Sequence, residues 1–272
     1  MVTARGEFAV LDATPAAGPG SLGTALLVPG YTGSKEDFIA ILGPLAAAGR
    51  RVVAADLRGQ YQTAGPDDPD AYDLQELGAD VASLVSALQA DHLLGHSFGG
   101  LVAREAVLGG CAPASLTLMS SGPAALSGPR AEELHFMLSY LDGTAAADLS
   151  GKVAEVWHGA LKPQAVAARV SAPVVAFLEQ RMLANNPVGL VSMASQLLKA
   201  EDKTAALAAR GVPALVLYGE DDNAWPTAQQ RDMAVRLGAG CTCIPGAEHS
   251  PNVEAPASTA RALTGFWNSA EG

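Results

Sequence analysis

A chain of 272 residues, 49% of them apolar, is long enough for one large domain with a substantial core and fits two independent domains less well. Its formal net charge of −11 argues against nucleic acid or anionic membrane surfaces as partners, because both are bound by basic patches, and leaves a small molecule as the expected partner. No apolar run approaches the ~18 residues that a membrane span needs, and Met1–Leu11 lacks the continuous apolar core of a secretory signal, so a cytoplasmic location is expected.

In chain order, Gly6–Asp12 can form a strand, and Ala13–Gly23, rich in Pro, Gly and Ala, a loop. Thr24–Val28 is a short apolar strand ending in Pro29-Gly30, the pattern of a central parallel strand covered on both faces. A helix from about Glu36 to Ala48 and a strand over Arg51–Asp56 follow. Asp73–Gln89 reads as an amphipathic helix with Leu74, Leu77, Val81, Leu84, Val85 and Leu88 on one stripe. Then come an extended segment Asp91–His96, a tight bend, a helix over Leu101–Leu108 and a strand over Ser115–Met119. Strands and helices alternating at these lengths predict a parallel sheet covered on both faces.

The alternation stops at Gly122 and resumes at Val212. The interval is helical in pattern, over Arg130–Leu141, Ala145–His158, Pro163–Val170, Pro173–Ala184 and Pro187–Ala200, several of these begun by proline in the first turn. We read residues 123–210 as a helical lid and residues 1–122 with 211–272 as the core. Pro213–Tyr218 resumes the sheet, Thr227–Leu237 is a helix, Cys241–Ile244 the last strand and Ala255–Trp267 the closing helix. The three cysteines are an odd number and suggest no disulfide framework; Cys241 and Cys243 read as small residues on one side of a strand.

The chemistry centres on Gly95-His96-Ser97-Phe98-Gly99-Gly100, at the bend. A serine hydroxyl is a weak nucleophile, and a strained strand-to-helix turn pushes it out of the sheet toward a base and toward backbone donors. Glycines at 95 and 99 remove side chains that would clash there. The Phe98 N–H, at the start of the following helix, is placed to stabilise an oxyanion. This segment resembles the nucleophile elbow of the α/β-hydrolase family.

The resemblance covers roughly Leu26 to the C-terminus. It implies a mostly parallel eight-stranded sheet covered by helices on both faces, with the lid between strands 6 and 7. In the family the acid and the histidine follow the serine in that order. Of five histidines only His249, in the loop Pro245–Pro251 beyond the last strand, lies after the resumed sheet. Glu220, Asp221 and Asp222 compete for the acid. The family pattern of strand, Gly, two residues, Asp and a later Pro matches Asp222 with Pro226, and Asp221 is its rival. The resemblance makes Tyr31, in Pro29-Gly30-Tyr31-Thr32-Gly33, the second oxyanion donor through its N–H, with Pro29 where the family usually has His. Asp56–Thr63 resembles the family's Asp-x-Arg-Gly-x-Gly-x-Ser loop, departing at Tyr61 and Thr63, and Arg58 in it reads as structural.

Other residues carry weaker signals. His92 and His96 lie on a strand and its bend rather than on one helix face, so neither a metal nor any cofactor is expected. His135 and His158 fall in the lid, as substrate contacts or surface residues. Phe136, Met137, Trp157, Phe177, Met182 and Met193 either pack inside the lid or line an apolar pocket. We take Met182 and Met193, with Trp225 three residues beyond the acid, as the pocket candidates. The reading is a serine hydrolase that cleaves an ester, lactone or similar acyl bond of a small, largely apolar molecule. Its alternatives are a lyase, a carbon–carbon hydrolase, an acyl transferase or cyclase, a perhydrolase, and a small-molecule receptor. Oligomeric state is not legible.

Overall fold

Seven strands build the central sheet in the computed structural model, which describes residues 1–16 and 22–271. In chain order a hairpin of β1 (Val2–Thr3) and β2 (Gly6–Glu7) precedes β3 (Val10–Ala13), β4 (Leu22–Val28), β5 (Arg50–Ala55), β6 (His92–His96), β7 (Ser115–Met119), β8 (Ala214–Gly219) and β9 (Gly240–Ile244). The sheet order is β3-β5-β4-β6-β7-β8-β9. Only β3 runs antiparallel to its neighbour.

The expected eight strands are therefore seven among the described residues, because the stretch Gly6–Asp12 divides. Gly6, at φ 138°, closes the hairpin with β1, and the Phe8 N–H bonds back to the Met1 carbonyl at 2.8 Å. Phe8 then turns its ring into the core, and only from Val10 does the chain join the sheet. Of the loop expected over Ala13–Gly23, residues 17–21 lie outside the described residues, and Leu22 and Gly23 already belong to β4.

Helices α1 (Ile39–Ala47), α2 (Leu74–Leu88) and α3 (Phe98–Leu108) connect the early strands, a 3-10 turn at Lys35–Phe38 leading into α1. The helical interval holds α4 (Pro129–Leu141), α5 (Ala146–Val156), α6 (Lys162–Ala167), α7 (Ala172–Ala184), α8 (Pro187–Lys199) and α9 (Thr204–Ala208). A π-helical turn at Trp157–Leu161 joins α5 to α6. After β8 come α10 (Thr227–Leu237), α11 (Pro251–Glu254) and α12 (Pro256–Glu271).

The sheet separates two cores. One face packs α2 and α3, with Leu77, Val81, Leu101 and Val102 fully buried; the other packs α1 and α12 around Phe38, Ile41, Leu263 and Trp267. The helical insertion shares the first of these cores, since Leu134, Met193, Ala194 and Leu197 bury against the residues that cover the sheet, while Val153, Trp157, Val175, Met182 and Leu190 form a smaller cluster of their own. Its neck is narrow. Ala125 N–H bonds to the Ala200 carbonyl at 2.8 Å and Leu126 N–H to the Leu197 carbonyl at 2.9 Å. Polar side chains tie α7 and α8 down: Arg181 to Asp37, Asn185 Oδ1 to the Tyr61 N–H at 3.2 Å, and Gln196 to Asp73. Among the described residues no helix is long and apolar enough to cross a membrane.

Candidate active site

At the carboxyl end of β6 the chain reverses into α3 through Ser97, whose φ of 53° and ψ of −120° are unusual for a residue with a side chain. Close backbone approach makes this turn: a Cβ on Gly95 would collide with the Gly99 carbonyl, and one on Gly99 with the carbonyls of Val28 and Pro29. The Ser97 N–H still donates to the Met119 carbonyl at 2.8 Å, so the serine is anchored to the edge of the sheet while its hydroxyl projects beyond it.

Asp222 and His249 arrive from neighbouring strands. The chain after β8 is zipped to the chain after β9, with Glu220 N–H on the Ile244 carbonyl and Asp221 N–H on the Ala247 carbonyl, both at 3.0 Å. His249 Nδ1–H donates to Asp222 Oδ1 at 2.9 Å, which leaves Nε2 to accept the Ser97 hydroxyl at 3.0 Å. Asp221 is exposed and makes no hydrogen bond through its carboxylate among the described residues. Burial pushes the Asp222 carboxyl up, but donors from His249, the Ala224 N–H at 3.0 Å and Gln230 Nε2 at 2.9 Å outweigh it and hold the group below its ordinary value. It stays ionised and fixes the imidazole tautomer.

Three supporting residues have no role assigned by the sequence motifs. Gln230 is a fully buried polar residue on the apolar face of α10 beside Met233 and Ala234, a signal that could have found it. His96 donates Nε2–H to the His249 carbonyl at 2.8 Å and lies 5.1 Å from the His249 ring. Burial, then the neighbouring His249, push His96 down to about 4, so it stands neutral beneath the site. Gln60, buried in the Asp56–Thr63 loop, donates to the Gly30 carbonyl at 2.9 Å.

Tyr31 and Phe98 flank the serine from β4 and α3. A turn closed by Gly33 N–H on the Gly30 carbonyl at 3.0 Å carries Tyr31, and Phe98 opens α3. Among the described residues neither N–H has a partner in the turns and loops, and a first-turn N–H such as that of Phe98 has none within its helix. The Tyr31 phenol reaches toward Met137 Sδ at 4.0 Å, and burial raises its pKa.

A cavity of about 750 Å³ opens over Ser97 and His249, with Tyr31, Leu134, Met137 and Met182 among its apolar walls. Phe136 also lines it; Trp157 and Phe177 do not. Two of the three pocket candidates need correction. Trp225 lies behind the site, fully buried, its Nε1–H on the Ala124 carbonyl at 3.1 Å and its ring 6.5 Å from His249. Its neighbour Ala224 takes the lining position, because the missing side chain at Gly122 leaves room for the indole underneath. Met193 faces the main core with Ala194 and Leu197.

The remaining candidates fall elsewhere. Arg58 pins its loop to the buried Asp80, at 2.7 Å through Nε. His92 is stacked on Trp267, with Ser115 and Glu271 at its two nitrogens, so it and His96 engage different partners. His135 bonds the Ala131 carbonyl within its own helix, and His158 is exposed beside Glu179 at 3.6 Å.

Comparison with known proteins places the fold. Over 93 residues the chain is 34% identical to "Putative carbamate hydrolase RutD" of Variovorax paradoxus (strain S110), a match spanning 34% of this chain and only 35% of that relative's length. A thermophilic esterase from Thermogutta terrifontis superposes with a TM-score of 0.75 at 23% identity, covering 100% of this chain and 98% of its own. The enol-lactonase from Burkholderia xenovorans LB400 gives 0.74 at 19% identity, covering 98% and 99%. These two likenesses are of fold. A model of the alpha/beta hydrolase family matches residues 25–262, a span that runs from β4 into α12 and takes in every residue of the site, and the chain therefore belongs to the alpha/beta hydrolase family.

Proposed function

We propose that the protein is a serine hydrolase that cleaves an ester, lactone or similar acyl bond of a small, largely apolar molecule. The observation that carries this reading is the unbroken Ser97–His249–Asp222 hydrogen-bond chain, which opens onto the cavity of about 750 Å³. Ser97 Oγ attacks the carbonyl carbon as His249 Nε2 takes its proton; the same nitrogen returns that proton to the leaving group. Ionised Asp222 holds the tautomer and stabilises the imidazolium. The Tyr31 and Phe98 N–H groups receive the negative charge that develops on the carbonyl oxygen. Water, activated by His249, then releases the acyl group from Ser97. Helices α4 to α8 act as the lid over this chemistry, and their apolar walls select an apolar substrate.

A fluorophosphonate probe tests the nucleophile. It should label the native protein at Ser97 and fail on Ser97→Ala, which folds normally because the hydroxyl fills no core space. Undiminished labelling or turnover in that variant would overturn the assignment. A parallel screen of esters, lactones and carbamates then fixes the bond class, the last included because of the name RutD carries.

A further inference from the structure

Gly30 and Tyr31 share one trans peptide, and in such a unit the C=O of the first residue and the N–H of the second point in opposite directions. Whatever holds the Gly30 carbonyl therefore aims the Tyr31 N–H. Two donors hold it: the Gly33 N–H at 3.0 Å, within the turn, and Gln60 Nε2 at 2.9 Å, from a loop 30 residues away. The turn alone is a weak clamp. It contains Thr32 at φ 57°, a β-branched residue in the left-handed region, where glycine would be favoured.

Gln60 is itself immobilised. Its Oε1 accepts the Leu57 N–H at 3.2 Å, and its own N–H donates to the Leu57 carbonyl at 2.9 Å, so both ends of the side chain's lever are tied to one tight turn. That turn rests on Asp56, whose carboxylate accepts Lys35 N–H at 2.7 Å, Lys35 Nζ at 3.0 Å and Gln62 N–H at 3.2 Å, and on Arg58 bound to buried Asp80. Gly59 lets the loop pass against Tyr72, whose ring a Cβ would strike at 2.7 Å.

We propose that Gln60 is a positioning residue of the oxyanion site: held rigid by the Asp56–Thr63 loop, its amide fixes the Gly30–Tyr31 peptide so that the Tyr31 N–H is aimed at the developing oxyanion. This rests on the serine-hydrolase reading. The consequence is kinetic. A donor needed by the tetrahedral transition state and little by the bound ester affects kcat and leaves KM nearly alone. Loss of a whole oxyanion donor costs roughly 100- to 1,000-fold, so misaiming one should cost roughly 10- to 100-fold.

The test uses Gln60→Met, equal in length and without a donor, with p-nitrophenyl butyrate and its thionoester, whose sulfur is a poor acceptor and gains little from the oxyanion site. The ester's kcat should fall roughly 10- to 100-fold with KM within about threefold, while the thionoester rate changes little, so that the ester-to-thionoester ratio collapses. An unchanged ratio, whether both rates hold or both fall together, would overturn the proposal. Gln60→Glu, measured where its carboxylate is ionised, keeps the shape and the Leu57 bond and should show the same collapse if the first variant does not fold. Ser97→Ala, run alongside, separates the two ideas. Turnover surviving in it would overturn the serine mechanism, whereas its loss with a native ratio in both Gln60 variants would overturn only the role of Gln60.

Discussion

Asp222 and its neighbour Asp221 differ by one position and by nearly everything physical. The first is buried under three donors; the second faces solvent. Asp222→Asn keeps the volume but offers His249 the wrong partner, and by the loss seen when a serine protease undergoes the same change, kcat should fall about 10⁴-fold. Asp221→Asn should leave kcat within about twofold. Steady-state kinetics on one ester ranks the pair, and the reverse order would move the acid by one residue. His96 makes a different kind of statement, because its proton affinity is lowered by folding. As pH falls through 6.5 the unfolded chain takes up a proton at this position while the folded chain does not until about pH 4. Its contribution is thus whole above pH 6.5 and is lost as the pH descends through the lowered value of the folded chain. His92, also lowered chiefly by burial, adds to the slope in the same sense. His96→Asn should flatten the fall in urea midpoint between pH 7 and pH 4.5 relative to the native chain, and an unaltered slope would contradict a neutral His96.

At the level of elements, the close approach of the segments following β8 and β9 is what brings the acid to the histidine. Gly219 is the contact point, since a Cβ there would run into the carbonyls of Ala247 and Glu248. Gly219→Ala should push the His249 loop outward, lowering both Tm and kcat, whereas Gly238→Ala, at a helix end with open space around it, should lower Tm alone through its φ of 64°. Legibility in the sequence followed the length of the periodic signal. The long amphipathic pattern of α2 and the proline-started helices α4, α7 and α8 were readable to within a residue or two. The hairpin at Gly6 and the five-residue α9 were not, because runs so short carry no period. At the site, Ser97, Asp222 and His249 each sit in a local motif, and the structure joins them in one hydrogen-bond chain. Gln60, His96 and the true faces of Trp225 and Met193 depend on which segments meet in space, and no local pattern encodes that.

Across the whole molecule, the cavity wall and the shared core can be told apart by two methionines of similar burial. Met182 lines the cavity; Met193 packs against the sheet's own cover. Met182→Ala should shift the acyl-length profile of p-nitrophenyl esters toward longer chains. Met193→Ala should leave the profile in place and cost about 2–5 kcal/mol of stability, read from denaturant unfolding. A profile shift in Met193→Ala alone would reverse the assignment. The neck of the helical insertion bears on how such a fold is recombined. Because the Ala125 and Ala200 backbones meet through a hydrogen bond, the segment between them leaves and re-enters the core at nearly one point, and a foreign segment could be spliced there without stretching either junction. Yet α8 also roofs the core through Ala194 and Leu197, and Asn185 grips the Tyr61 backbone. Simple excision would therefore expose the apolar residues that cover the sheet, and a working graft must carry its own counterpart of α8: the insertion is exchangeable as a cassette but not dispensable as an appendage.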